Sequence, residues 1–233
     1  MRINNLLFFG ILILAGAFQT ACYADVREWT TKGWEFLDDK DGIKTFRKSY
    51  ANSAVKGVGG EALVDASIGK ILWVLMDHAH KNQWIDKFKE AETLDKTSPL
   101  NQLQFVAFDM PFPVTDREFV FIMHFHVDSA LNAVVVDMSS VKDGKAPPVH
   151  EGNIRGEILE GRYTLYPRGD KTFVQAEYLA DPKGSLPVFL VNFVQKSWPM
   201  KTFETLRTQV KKDFVQSWPE FDKDLKPQLK ALN

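Results

Sequence analysis

The chain has one cysteine, Cys22, and it lies in an N-terminal segment that the sequence marks for removal. No disulfide, cysteine nucleophile or thiolate metal site is expected in what remains. Basic residues are not in excess either: 29 Lys and Arg stand against 30 Asp and Glu, for a net charge of −1. That balance gives no electrostatic footing for nucleic acid and no overall hold on an anionic membrane. Beyond the first two dozen residues there is no apolar run long enough to cross a bilayer, which takes about 20 residues. No stretch rich in Gly, Ser or Pro divides the chain, and no internal repeat or low-complexity run appears, so a single domain with one core is expected over residues 25–233. A G-x-S-x-G nucleophile elbow is missing. Gly57-Val58-Gly59-Gly60 lies inside a strand-like run, where close backbone approach or a bulge explains it better than phosphate binding.

The first 24 residues do have a pattern. Arg2, an apolar run from Leu6 to Phe18 and a small-residue exit at Cys22-Tyr23-Ala24 make a secretory signal peptide, implying a secreted, periplasmic protein. The rival is a lipoprotein signal lipidated at Cys22, against which Gln19 stands where an aliphatic residue is usual.

Val26, Trp29, Trp34 and Leu37 fall near helical spacing and predict a short first helix. Ile43–Lys48 and Val55–Val64 read as strands. Ile68, Ile71, Leu72, Leu75 and Met76 then lie on one face of a second helix, which Asp65 or Ser67 could cap. Strand-like runs follow at Glu90–Lys96, Leu103–Phe108, Glu118–Val127, Ala133–Ser139, Ile154–Pro167 and Thr172–Leu179, with turns between them. Short connections favour an antiparallel meander, because parallel strands need long crossovers. On the strand Glu118–Val127 one face is wholly apolar, with Phe119, Phe121, Met123, Phe125 and Val127; the other ends in His124 and His126. On pattern alone this is a core strand, or the wall of a ligand site. After the turn Ala180–Pro187, Val188, Val191 and Val194 trace one helical stripe, with Leu190 beside it and Phe189 and Phe193 on another. Trp198-Pro199 predicts a kink or break, with Leu206, Val210 and Phe214 resuming beyond it as a second piece.

Four segments in order resemble the START domain family, the steroidogenic-acute-regulatory-related lipid-transfer domains. They are Asp41-Gly42-Ile43-Lys44, Gln83-Trp84, the run Pro111-Phe112-Pro113-Val114-Thr115-Asp116-Arg117-Glu118-Phe119-Val120, and Asp181-Pro182-Lys183-Gly184-Ser185-Leu186-Pro187 with Val191-Asn192. Glu118 stands where the family usually has Asp. The resemblance implies an α+β helix-grip fold, a curved antiparallel β-sheet wrapped around a long C-terminal helix, enclosing a tunnel for one lipid or other apolar molecule. Phe119, Phe121, Met123 and Phe125 would line it opposite Leu190, Val191 and Val194. Several sterol- and phospholipid-binding members carry an inward arginine where this chain has Met123, so an apolar or uncharged ligand is expected here. Arg117 could touch a headgroup, or form a structural ion pair with Asp116 or Glu177. Transient membrane contact would go with lipid transfer.

Two H-x-H pairs, His78 with His80 and His124 with His126, lack a convincing third ligand, so no metal site is expected and no cofactor is implied. An alternative function is a cyclase- or hydrolase-type enzyme working through polar groups in the same cavity, with Asp137, Glu157 and Glu177 as the strand carboxylates to consider. Fold analogy alone supports it.

Overall fold

The strand periodicity read above becomes a ten-stranded sheet in the computed structural model, which describes residues 26–141 and 146–230. The side chains of residues 26, 27, 190 and 193–195 lie outside the description, as does the whole predicted signal peptide. The strands are β1 (Glu35–Lys40), β2 (Ile43–Tyr50), β3 (Ser53–Val64), β4 (Phe88–Ser98), β5 (Asn101–Phe108), β6 (Asp116–Asp128), β7 (Ala133–Ser140), β8 (Asn153–Arg155), β9 (Glu157–Arg168) and β10 (Lys171–Asp181). Their order is β1-β2-β3-β10-β9-β7-β6-β5-β4, antiparallel throughout, with the short β8 added parallel to the start of β6. The sheet curves without closing, and helices α2 (Ile68–Met76) and α3 (Val188–Gln209) lie in its concavity. This is the helix-grip arrangement.

The predicted first helix is shorter than its hydrophobic spacing suggested. It is α1 (Val26–Thr31), and Gly33 at φ 81° turns the chain so that the remaining residues join the sheet as β1. Trp29 stacks on Phe46 at 4.3 Å and meets Trp34 edge-on at 5.1 Å, a patch on the outer face of the sheet. The indole N–H of Trp29 donates to Glu61 at 2.6 Å, and a side chain at Gly59 would strike the ring. Ser67 occupies the N-cap of α2 without a side-chain cap bond.

The expected single strand Ile154–Pro167 is two. Gly156 separates them, its N–H bonded to the Glu118 carbonyl at 2.8 Å, and a side chain there would run into the ring of Phe119. The chain can change partners only because that residue has no Cβ.

Pro199 does not break α3, contrary to the expectation of two pieces. It is buried, and the helix continues to Gln209. The reason lies opposite: a side chain at Gly60 would crowd Pro199 and Phe203 at about 3 Å, so the glycine supplies a flat seat for the proline. Helix and strand run in the same direction. Asn192 Oδ1 accepts from the Lys56 amide at 3.0 Å, and Arg207 Nε donates to the Leu63 carbonyl at 3.1 Å. From Asn192 to Arg207 a helix rises about 22 Å, and from Lys56 to Leu63 a strand covers about 23 Å. The two lengths match, so one element is fastened along the other.

Beyond α3 the chain does not resume the helix through Phe214. It turns, and Val215, Trp218, Phe221 and Leu225 enter the main core beneath α2. The Trp218 amide donates to the Gly69 carbonyl at 3.0 Å, and its ring lies 4.7 Å from that of Phe125. Phe214 stays partly exposed, stacked on His80 at 4.2 Å. Trp218→Ala should therefore cost about 3–5 kcal/mol and Phe214→Ala much less; equal shifts in the urea midpoint would contradict this division.

Candidate ligand site

Alternation along β6 sends Phe119, Phe121, Met123 and Phe125 to the concave face, and all four are buried in the main core. The register extends their row across the sheet: Met123 faces Met138, which faces Gly161, and Tyr178 lies beyond it. Tyr178 meets Tyr163 edge-on at 5.8 Å and Trp198 of α3 at 4.6 Å, while its hydroxyl donates to the Met138 sulfur at 3.1 Å. Burial pushes Tyr163 up to about 12, so it is a neutral phenol at any ordinary pH. Val191 is buried, whereas the side chains of Leu190 and Val194 lie outside the description. Of the four β6 residues, Phe125 has its ring committed to Trp218. Phe119 and Phe121 are each 9 % exposed.

Arg117 begins the same inward row. It is 3 % exposed, and its guanidinium goes to backbone rather than to Asp116 or Glu177. Nε donates to the Pro182 carbonyl at 3.0 Å, and the terminal nitrogens donate to Lys183, at 3.3 Å, and to Thr115. Asp116 turns to Lys89 at 2.8 Å instead. The positive-φ pair Lys183 and Gly184 forms the turn that Arg117 holds, four residues before α3 begins.

Glu118, next in sequence, points to the opposite face and is fully buried there. Its Oε1 accepts from Arg155 Nε at 2.9 Å and Nη2 at 2.6 Å, and its Oε2 accepts from Asn153 at 2.9 Å. His150 Nδ1 lies 2.8 Å from the same Oε2. Burial opposes ionisation, but the bonds from Asn153, Arg155 and His150 outweigh it and hold the carboxyl below its ordinary value. The longer side chain found here in place of Asp thus reaches three residues, Asn153 and Arg155 of β8 and His150 just before it, that fasten this segment to β6.

One strip of the concave face is polar, and sequence reasoning missed it. On β5, Leu103, Phe105 and Ala107 look like the core face, yet Phe105 and Ala107 belong with Val120 to a separate cluster on the outside, against which Leu103 packs. The inner face carries Gln102, Gln104, Val106 and Phe108, opposite Met123, Phe121, Phe119 and Arg117. The period of two was readable; hydrophobicity pointed to the wrong side.

A concavity of about 370 Å³ opens on the outer face, lined by Tyr50, His124, Asp137, Arg162, Glu177 and neighbours. Arg162 donates to Asp137 at 2.7 Å, and burial raises the Glu177 carboxyl. This charged hollow is on the solvent side of the sheet, away from α3. His124 and His126 stack at 5.3 Å beside it, and among the described residues no three His, Cys, Asp or Glu side chains converge on a metal position.

The sheet, the gripped helix and the inward apolar row define a helix-grip protein. The START domain model matches residues 22–213, and the chain belongs to that family. An uncharacterised protein of Pseudomonas aeruginosa is 29% identical over 184 residues, covering 77% of this chain and 87% of its own. The crystal structure of a STAR-related lipid transfer protein from Xanthomonas axonopodis is similar with a TM-score of 0.69 and 26% identity, over 77% of this chain and 99% of that one. Human StAR-related lipid transfer protein 5 shares the fold, with a TM-score of 0.70 at 16% identity, over 78% of this chain and 88% of that one.

Because the folded state holds Glu118 ionised, its contribution to stability is present above the ordinary carboxyl value of 4.5 and is lost as pH falls through the lowered one. Glu118→Gln should cost about 3 kcal/mol at pH 7, and the gap from the natural protein should shrink below pH 4.5. A gap that stays constant with pH in denaturant titrations would refute the assignment.

Proposed function

We propose that the protein binds a single lipid or other apolar molecule between the inner face of β6 and helix α3, shields it from water and passes it to or from a membrane. The observation that carries this reading is the row Phe119, Phe121 and Met123, turned inward toward a helix that is fastened along β3 on the other side of the concavity. A dry wall of this kind suffices for an acyl chain: at about 0.8 kcal/mol per methylene removed from water, about ten methylenes supply about 8 kcal/mol. The resemblance of the Xanthomonas structure, described as a STAR-related lipid transfer protein, supports the same conclusion. The N-terminal pattern supports an exported, periplasmic setting.

Contact with a membrane has its own support. Phe112 is 98 % exposed in the turn before β6, and Phe189 is 76 % exposed at the start of α3. Arg117 ties the two segments to one end of the molecule. Exposed phenylalanines at the mouth of an apolar site are suited to the headgroup boundary of a bilayer.

Native mass spectrometry of the protein purified from its own host should show one co-purified lipid; repeated absence of bound mass across lipid classes would defeat the proposal. Phe112→Ala with Phe189→Ala should weaken sedimentation with phospholipid vesicles several-fold while leaving the melting temperature unchanged, since neither ring is packed. Undiminished vesicle binding would remove the membrane contact from the proposal.

A further inference from the structure

The hollow on the outer face of the sheet lies on the far side of the strands from the proposed lipid site, and one of its acids is left without a partner. A row of side chains crosses its floor: His124 on β6 faces Asp137 on β7, Asp137 faces Arg162 on β9, and Arg162 faces Glu177 on β10. Arg162 has an acid on each side and takes only one. Its Nε donates to Asp137 at 2.7 Å, and nothing from it bonds to Glu177.

The other neighbours of Glu177 are also spent. On β3 it faces Gly59, which has no side chain and lies under the Trp29 ring. Lys32 and Lys48 act on it only from a distance. Lys32 Nζ is paired with Glu28 at 2.7 Å, and Lys48 Nζ lies over the rings of Trp34 and Tyr50, 5.8 and 5.2 Å from their centres. The Tyr50 hydroxyl is directed to Glu160, at 3.5 Å. Glu177 therefore receives no hydrogen bond and no ion pair among the described residues. Burial raises its carboxyl, against the pull of Lys32, Arg162 and Lys48. A carboxylate drawn partly out of water and given no donor is a cost to the fold, and a guest that brings a donor removes it.

The hollow has room for such a guest. Its volume of about 370 Å³ falls in the range of about 300–1,000 Å³ usual for sites that hold small molecules. Arg162 supplies the complementary group, since Nε alone is spent and both terminal nitrogens lack a partner among the described residues. Two such nitrogens are the fork that grips a carboxylate. Side chains directly opposite on neighbouring strands start about 4.5–5.5 Å apart at Cβ, a gap that an ammonium and a carboxylate borne on one carbon can bridge. Ile122, Leu159 and Leu179 add an aliphatic wall. A simple anion would meet Glu160 and Glu177 as well as Arg162, and a simple cation would leave the guanidinium fork idle beside it.

We propose that Glu177 and Arg162 form a second, outward-facing site for a small zwitterion of the α-amino acid class. Its ammonium donates to Glu177, its carboxylate accepts from the terminal nitrogens of Arg162, and an aliphatic side chain lies against Leu159 and Leu179. This site is independent of the lipid reading, because the sheet stands between the two.

Isothermal titration of the full chain with leucine, leucinamide and 4-methylpentanoate tests it. The second compound lacks the anionic charge and the third lacks the cationic one. Leucine should bind at least about tenfold more tightly than either. Glu177→Gln should remove the preference for leucine over 4-methylpentanoate while leaving the melting temperature unchanged or higher, because the natural carboxylate has no bond to lose. Arg162→Gln should remove the preference over leucinamide. If leucine does not bind, or binds no better than both analogues, the site is wrong. Tightest binding of leucinamide would overturn the zwitterion. A Glu177→Gln variant that melts lower yet keeps the preference would assign the residue to the fold instead.

Discussion

Two adjacent residues, Arg117 and Glu118, point to opposite faces of one strand, and the geometry of the inner face of the sheet depends on that alternation. Arg117 reaches inward and holds the turn before α3 by its carbonyls. Glu118 reaches outward and draws in Asn153, Arg155 and His150, so that β8 lies against β6 and Gly156 can pass beneath Phe119. Buried charge is tolerated in each case because nearly every polar atom is met. Had the strand slipped by one residue, the guanidinium and the carboxylate would have exchanged faces and the phenylalanine row would have turned to solvent.

The opposite wall has a different basis. Helix α3 is placed by contacts with β3 at both ends and by the seat that Gly60 makes for Pro199 in between. The sheet side and the helix side are therefore fixed by separate sets of interactions. Below both, Trp218, Phe221 and Leu225 fill one end of the concavity against α2 and Phe125. Phe125 is committed to that packing, whereas Phe119, Phe121 and Met123 are the part of the β6 row on which the proposed ligand would lie.

Much of the sheet was legible, because strands buried on one face alternate strictly and their turns are marked by Gly, Pro, Asp and Asn. The inward row of β6 was legible for the same reason. The errors have specific causes. Pro199 was read by its local rule, and its local rule was overridden by a glycine about 140 positions away. Val26–Leu37 kept helical spacing across Gly33, which ends the helix through its backbone conformation alone. The segment after Gln209 had apolar residues near helical spacing, but they pack as a turn-rich plug whose partner, α2, is distant in sequence. The faces of β5 were not assigned from the sequence at all, and a hydrophobicity rule would have put its two glutamines outside, whereas they sit on the inner face. Arg117 was open between two roles, and the carbonyls that occupy its guanidinium carry no side-chain signal at all.

The fastening of α3 to β3 bears on how the chain tolerates substitution. Asn192, Pro199 and Arg207 hold the helix through backbone groups and a glycine, and none of these contacts uses the row Phe119, Phe121 and Met123. The inward row of β6 and the residues that fasten α3 are thus different residues. Substitutions at Phe119, Phe121 or Met123 would alter the inner face of the sheet while leaving the contacts that fasten α3 to β3 in place, although each is a buried core residue and its loss would carry a cost in packing.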